Sequence, residues 1–517
     1  MPGQVLEKHQ ISNLPPELLS NILEWISVFE VAKLRLVSHL FNAIISTDGF
    51  AVSNLVRYIE IEPYDRRRRE SFHPNHWEQL FMFGATPLNL QRAFVSQFFS
   101  HIEIVEWAAR LDILSAAIGL ARSLTHLELQ NWARSSTWSP IPDEIGLLAN
   151  LKSLILPYYG LVGSIPDSMG NLTRLAVLKL DNNMLDGSIP DSLCSLENLW
   201  CLSLADNELC ESIPDALGKL ANLRILNLGN NNLTGSIPRS IGYLRFLTEL
   251  NLFENNLSGN LPDDLGKLEN LKHLDLHSNK FNGSLSSHII GNFVALEVLK
   301  LSDNEFADLL PQNIGNMANL KHLDLSKNRF HGPVPENIGF LECLIELIVS
   351  QNNLHGPIPE SVGKLSSLTH LSLQENKFNG DIPSSVGNLL NLEYANFSNN
   401  ELEGCIPKLI GNLELLTFLD LSDNKFCGSI PDIIGGPNLN LERLILSHNY
   451  FSGCIPEAIS GLRYLWDLDL SDNNLVGQVP ESLGKMLSLY HLNISSNNFS
   501  GKIPLSLSQS EKLTLIQ

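Results

Sequence analysis

This chain is short of cations, of paired cysteines and of any apolar run long enough to cross a bilayer. Lysine and arginine number 35 against 56 acidic residues, a net charge of −21. That balance disfavours nucleic acid and anionic membrane as partners and favours solubility or basic protein patches. The charge is spread along the chain and forms no acidic tail. The seven cysteines, Cys194, Cys201, Cys210, Cys343, Cys405, Cys427 and Cys454, are odd in number and scattered, with no Cys-x-x-Cys pair; such usage fits a reducing compartment. Residues Met1 to Ile11 carry Glu7, Lys8 and His9 and lack the apolar core of a signal peptide, and no later stretch approaches a membrane span. The expected location is therefore the cytoplasm, with the nucleus as the alternative. A phosphate-binding glycine loop, a nucleophile elbow and a kinase segment are absent too. A protein without catalysis, cofactor or metal is expected.

What the chain has is repetition. Leu223 to Leu244 reads Leu-Arg-Ile-Leu-Asn-Leu-Gly-Asn-Asn-Asn-Leu-Thr-Gly-Ser-Ile-Pro-Arg-Ser-Ile-Gly-Tyr-Leu. The asparagine after the Leu-x-x-Leu-x-Leu core recurs at Asn183, Asn207, Asn231, Asn255, Asn279, Asn304, Asn328, Asn352, Asn376, Asn400, Asn424, Asn449, Asn473 and Asn497, in steps of 24 residues with two of 25. Leu226 and Leu228 alternate with Asn227 and Gly229, the pattern of a short strand with one apolar face. One such strand cannot bury its own leucines. Stacked copies can, in a parallel ladder of about 4.8 Å per step closed by Leu223, Leu233, Ile237, Ile241 and Leu244. The marker amide is placed to bond the backbone of neighbouring turns, and Gly235 and Pro238 turn the chain. At the second apolar position after the strand, leucine gives way to Phe281, Phe306, Phe330, Phe378, Phe426, Phe451 and Phe499, an expected aromatic spine.

This wording resembles the plant-type leucine-rich repeat over about three quarters of the chain. The resemblance implies an α/β solenoid: a leucine-rich-repeat right-handed superhelix with a parallel sheet on its concave face, preceded by an α-helical N-terminal region. The organisation expected is a helical module at 1–50, a helical linker and cap at 51–123, and about 16 repeats over 124–517, the last incomplete. Sequons at Asn171, Asn232, Asn256, Asn282, Asn396, Asn493 and Asn498 arise largely from the repeat wording and discriminate little.

Ahead of the repeats, Leu14-Pro-Pro-Glu-Leu-Leu opens a segment with Leu18, Leu19, Ile22, Leu23 and Ile26 at helical spacing, proline standing at the first turn. A second run places Val31, Leu34, Val37, Leu40, Phe41, Ile44 and Ile45 on one side. Leu14, Pro15, Glu17, Leu18, Leu19, Ile22, Leu23, Leu34, Val37, Ser38 and Phe41 resemble the F-box, with His39 and Phe41 departing from the usual arginine and tryptophan. That resemblance implies docking on the Skp-type adaptor of a cullin ubiquitin ligase through Leu14, Pro15, Leu18, Leu19 and Ile22. The plainer alternative is a polar-faced cap on the open end of the solenoid. Between module and repeats, Arg66 to Arg69 form a basic loop, which reads as a solvated charge run or a nuclear signal, and Trp77, Phe81, Phe94, Phe98 and Trp107 suggest capping helices. The repeats depart from pattern at Trp132, Tyr159, Glu211 and Ser286. After Ile503-Pro504 the chain restarts at Leu513 and stops inside a strand, so a continuing sequence is expected.

Two columns of strand residues point away from the core. The first reads Glu249, His273, Val298, His322, Glu346, His370, Tyr394, Phe418, Arg443, Asp467 and His491; the second includes Asp275, Asp324, Asp420 and Asp469. Aromatics and arginine among polar neighbours are the composition of interaction anchors. The candidate ligand-binding set is His273, Asp275, His322, Asp324, His370, Tyr394, Phe418, Asp420, Arg443, Asp467, Asp469 and His491. A metal at the His-Asp pairs is not expected, since His273 and His322 lie two repeats, about 10 Å, apart and ligands approach a metal at about 2 Å. The function expected is a substrate receptor of a cullin-type ubiquitin ligase. The alternative is a receptor-like or scaffold repeat protein that binds a protein or peptide. The target's identity is not written in residues this common.

Overall fold

The structure, a computed structural model, describes residues 126–128, 139–436, 439–508 and 513–516. The expected modules at 1–50 and 51–123, including Leu14, Pro15, Leu18, Leu19 and Ile22, lie outside the described residues. The chain divides into two units, Met1–Asn232 and Leu233–Gln517.

In the first unit the strands His126–Glu128, Ser153–Ile155, Val177–Lys179, Cys201–Ser203 and Ile225–Asn227 pair in parallel, with Leu154, Leu178, Leu202 and Leu226 in register. Four five-residue 3-10 turns alternate with these five strands: Asp143–Leu147, Asp167–Asn171, Asp191–Ser195 and Asp215–Lys219. Pro142, Pro166, Pro190 and Pro214 stand just before these turns with extended backbone. Proline suits the position, since a helical start leaves its first N–H groups unpaired and proline has none to leave. A second, lateral ladder joins Ser139–Pro140, Leu161–Ser164 and Met184–Asp186 and goes no further in this unit. The next repeat has Glu211 where Gly163 and Gly187 stand, all three with positive φ, near 67°, 74° and 73°. A side chain there is strained, yet Glu211 keeps the glycine-like backbone: the regular strand stops, while the Glu208 and Cys210 N–H groups still donate to the Leu185 and Gly187 carbonyls at 2.8 Å.

The second unit repeats the plan from Glu249–Asn251 to Thr514–Ile516 in one in-register parallel ladder. A lateral ladder of twelve strands runs from Thr234–Gly235 to Asn498–Phe499. One repeat shows the burial: Leu320, Leu323, Leu325, Phe330, Val334, Ile338 and Leu341 are all buried, each side chain worth roughly 1.5–3 kcal/mol over exposure. Phe281, Phe306 and Phe330 stack at 6.3 and 6.1 Å between centroids, and Phe426 stacks on Phe451 at 6.1 Å. Leu354, Leu402 and Leu475 interrupt the column, so the expected spine is two stacks, with Phe378 standing between them and Phe499 beyond the second.

The asparagine marker does what its spacing predicts. Asn328 Oδ1 accepts the Phe306 N–H at 3.0 Å, and its Nδ2 donates to the carbonyls of Leu301, Leu325 and Ser326 at 2.9, 3.2 and 3.0 Å. One buried amide thus satisfies four backbone groups of two repeats. Ser286, in place of proline, changes the local structure: Ser287–Ile290 is α-helical, and Ser286 Oγ accepts the His288 N–H at 3.2 Å. That segment lies in the 25-residue step between Asn279 and Asn304. Gly339 is required by proximity, since a Cβ there would stand 2.6 Å from the Ser361 carbonyl oxygen of the next turn.

Candidate functional site

All twelve candidate residues lie in the second unit, on strands whose core leucines fix the direction of their neighbours. They form two groups. The longer runs along the first column. His370 stacks on Tyr394 at 5.8 Å between centroids, and Tyr394 on Phe418 at 4.5 Å with 6° between planes. The Arg443 guanidinium lies 5.1 Å from the Phe418 ring centre and 5.3 Å from that of Trp466. Arg443 Nε donates to Asp467 at 2.9 Å, and His491 Nδ1 lies 2.6 Å from the other oxygen of that carboxylate. Six consecutive repeats are joined this way. Asp467 is buried, and a buried carboxylate requires such partners. Trp466, 39 % exposed, was not among the expected residues because it precedes the strand proper.

The second column behaves differently. Asp324, Asp420 and Asp469 each turn back on their own chain: one oxygen accepts both the N–H and the hydroxyl of the serine two residues on, Ser326, Ser422 and Ser471, at 2.6–3.0 Å. Asn396 and Asn493 make the same pair of bonds to Ser398 and Ser495. These side chains therefore shape the exit from the strand and leave one oxygen for a partner. Burial raises the Asp420 carboxyl above the usual range, against the lowering effect of the Ser422 hydrogen bonds.

The smaller group surrounds Asp275. The expected pair His273/Asp275 is loose, with 4.0 Å between Nε2 and the carboxylate; the tight contact comes from His277, whose Nδ1 lies 2.6 Å from Asp275. His277 also stacks on Phe253 at 5.1 Å and lies 3.7 Å from Glu254. The Asp275 hydrogen bond raises the His277 pKa, whereas burial lowers that of His273. His322 reaches across to Glu346 at 2.8 Å and not to Asp324, which Ser326 occupies. His273 and His322 are separated by the Val298 strand. Among the described residues no group of three or more histidine, cysteine, aspartate or glutamate side chains could hold a metal ion, and no helix is long and apolar enough to cross a membrane. His277, Phe253 and Trp466 are the residues that reading two columns misses; for His277 and Phe253 the signal is the third outward position, with its recurring serine, and for Trp466 it is the position just before the strand.

A Leucine Rich Repeat family model matches residues 174–196, 198–220, 222–244, 246–268, 270–292, 415–437, 440–462, 464–486 and 488–510. A leucine-rich repeat region model matches 283–402, and an F-box domain model matches 11–52. No curated protein matches the chain. Among solved structures, it is similar to the plant peptide hormone receptor RGFR1 in complex with RGF2, at 32% identity over 77% of this chain and 71% of that one, TM-score 0.66. It is similar also to the leucine-rich-repeat ectodomain of the Arabidopsis receptor kinase HAESA in complex with an N-terminally extended IDA peptide hormone ligand, at 32% identity, 77% and 72% coverage and TM-score 0.65. A TDR receptor aligns at 29% identity, 82% and 76% coverage and TM-score 0.70.

Proposed function

The chain belongs to the F-box/leucine-rich-repeat proteins, and from that premise we propose that it is the target-recognition subunit of a cullin-type ubiquitin ligase. The observation that carries this reading is the F-box domain at 11–52 placed ahead of a long repeat array. Both modules are built for protein contact and neither supplies a nucleophile, so the transfer chemistry belongs to other subunits. On this reading Leu14, Pro15, Leu18, Leu19 and Ile22 meet a Skp-type adaptor, and the outward strand face from His370 to His491 holds the target. That face has what an anchor needs: rings and a guanidinium already fixed by their neighbours, which lose little freedom on binding. The peptide ligands in the RGFR1 and HAESA structures support a peptide segment as the form of the target. Action in the cytoplasm or nucleus follows from the ligase role.

The test is recovery of tagged chain from eukaryotic cells. The parent is expected to bring down a Skp-type adaptor with its cullin. A Leu14→Ala/Pro15→Ala/Leu18→Ala variant is expected to lose both, and Phe418→Ala to keep them. Failure of the parent to recover either would end the ligase reading.

A second reading has its own support in the 32% identity to peptide receptors and in exposed sequons at Asn232, Asn282 and Asn498. It is a receptor-like protein of the secretory route. Mobility before and after enzymatic removal of N-glycans separates the two: a shift favours the receptor, and no shift favours the ligase subunit.

A further inference from the structure

The strand face carries charge unevenly. Over residues 248–254, 272–278, 297–303, 321–327 and 345–351 there are seven carboxylates and four lysines. Over 369–375, 393–399, 417–423, 442–448, 466–472 and 490–496 there are eight carboxylates and a single guanidinium. That guanidinium, Arg443, is already held by Asp467. In the first stretch Lys272 and Lys321 both pair with Glu297, at 3.2 and 2.8 Å, and His322 pairs with Glu346 at 2.8 Å. In the second, Glu393 and Glu442 are exposed, and Asp420 and Asp469 each keep one oxygen outside the bonds to serine. The acidic stretch coincides with the stack from His370 to Trp466.

From this coincidence we infer that the face between His370 and His491 takes an extended, basic segment of a partner protein, with lysine or arginine side chains laid across the ring edges and their heads among Asp420, Asp469, Glu393 and Glu442. The inference rests on the strand face being the recognition surface and adds the chemistry of what it recognises. The rings of Tyr394 and Phe418 face each other at 4.5 Å, so an incoming chain meets their edges rather than their faces. Apolar edges suit the methylene stems of lysine and arginine, whose charged ends can then reach the carboxylates on either side. Six strands at about 4.8 Å span roughly 24 Å, the length of about seven extended residues. An acidic segment would meet like charge along that whole length.

The position of the aspartates allows a test that separates charge from fold. Asn396 and Asn493 show that asparagine makes the same turn-forming bonds to the following serine, so Asp420→Asn and Asp469→Asn remove charge and keep the turn. The full chain is titrated with two fluorescein-labelled octapeptide pools, one with lysine or arginine at alternate positions and one with glutamate there, and anisotropy is read at about 0.05 and 0.3 M salt. The basic pool is expected to bind at least about tenfold more tightly than the acidic pool and to weaken with salt. The double Asp→Asn variant and Phe418→Ala are each expected to lose about fivefold or more, while Glu481→Gln, on a 3-10 turn, loses nothing. Melting curves confirm that the variants are folded. Equal or tighter binding of the acidic pool overturns the inference. So does binding of the basic pool that the double variant and Phe418→Ala leave unchanged, because net charge alone then explains it. If neither pool binds while the adaptor still does, the basic-segment inference falls and the ligase reading stands.

Discussion

His277 Nδ1 lies 2.6 Å from the carboxylate of Asp275, two residues earlier, while its ring lies flat on Phe253 from the preceding repeat. The stack fixes the imidazole where the carboxylate can hold its proton, and the pKa is raised above the ordinary value of 6.5.

That relationship makes stability depend on pH in a stated direction. A histidine whose folded pKa is raised contributes stability that is complete below the unfolded value, about 6.5, and is lost as pH rises through the folded value. Thermal melting from mildly acidic to mildly basic pH is expected to show the parent losing stability relative to His277→Gln across that window. By proton NMR, His277 should titrate at higher pH than His273, whose pKa burial lowers. A parent and variant that run parallel with pH would count against the contact.

The asparagine markers are expected to carry more stability than their size suggests. Asn328→Ala strands the buried Phe306 N–H, while the Leu301, Leu325 and Ser326 carbonyls keep donors in Asn304, Asn352 and Asp303; an unsatisfied buried group costs about 1–3 kcal/mol. A loss of about 1–3 kcal/mol is expected in urea unfolding. Asn497, only half-buried near the last described repeats, should lose less. Equal small effects at both positions would mean that the backbone finds other partners.

Thiol reactivity should follow burial. Cys343, Cys405, Cys427 and Cys454 are exposed, and Cys194 and Cys201 are buried; burial, helped by Asp191, pushes the Cys194 thiol up to about 11. A thiol-exchange reagent at mildly alkaline pH is expected to modify the four exposed cysteines quickly, and Cys194 and Cys201 only after unfolding. Mass spectrometry that finds Cys194 modified in the folded chain would contradict the packing described.

The repeat was legible because its causes are local and recur: leucines at strand spacing, one asparagine per turn, and proline before each 3-10 turn. Departures were legible as well. Ser286 marks a real change of backbone, and Glu211 stands where the regular lateral strand stops although the glycine-like backbone is kept. The aromatic and Arg443 anchors could be read once the column was written out, since residues 24 or 25 apart become neighbours. The pairing of second-column aspartates could not. His322 and Asp324 suggest a pair by spacing, yet Ser326, equally near along the chain, captures the carboxylate with both its N–H and its hydroxyl, leaving His322 to Glu346. His277 lies beyond the strand's alternation, where the turn presents a third residue outward.

The most direct test of the central claim is calorimetric titration of a purified Skp-type adaptor into the purified full chain. A stoichiometric complex with a dissociation constant of about 1 μM or tighter is predicted. The Leu14→Ala/Pro15→Ala/Leu18→Ala variant should weaken it by at least about tenfold, and Phe418→Ala should leave it unchanged. A parent with a cooperative melt that gives no heat of binding at about 10 μM would contradict the claim, and the first fifty residues would then be a cap on a repeat protein of another pathway.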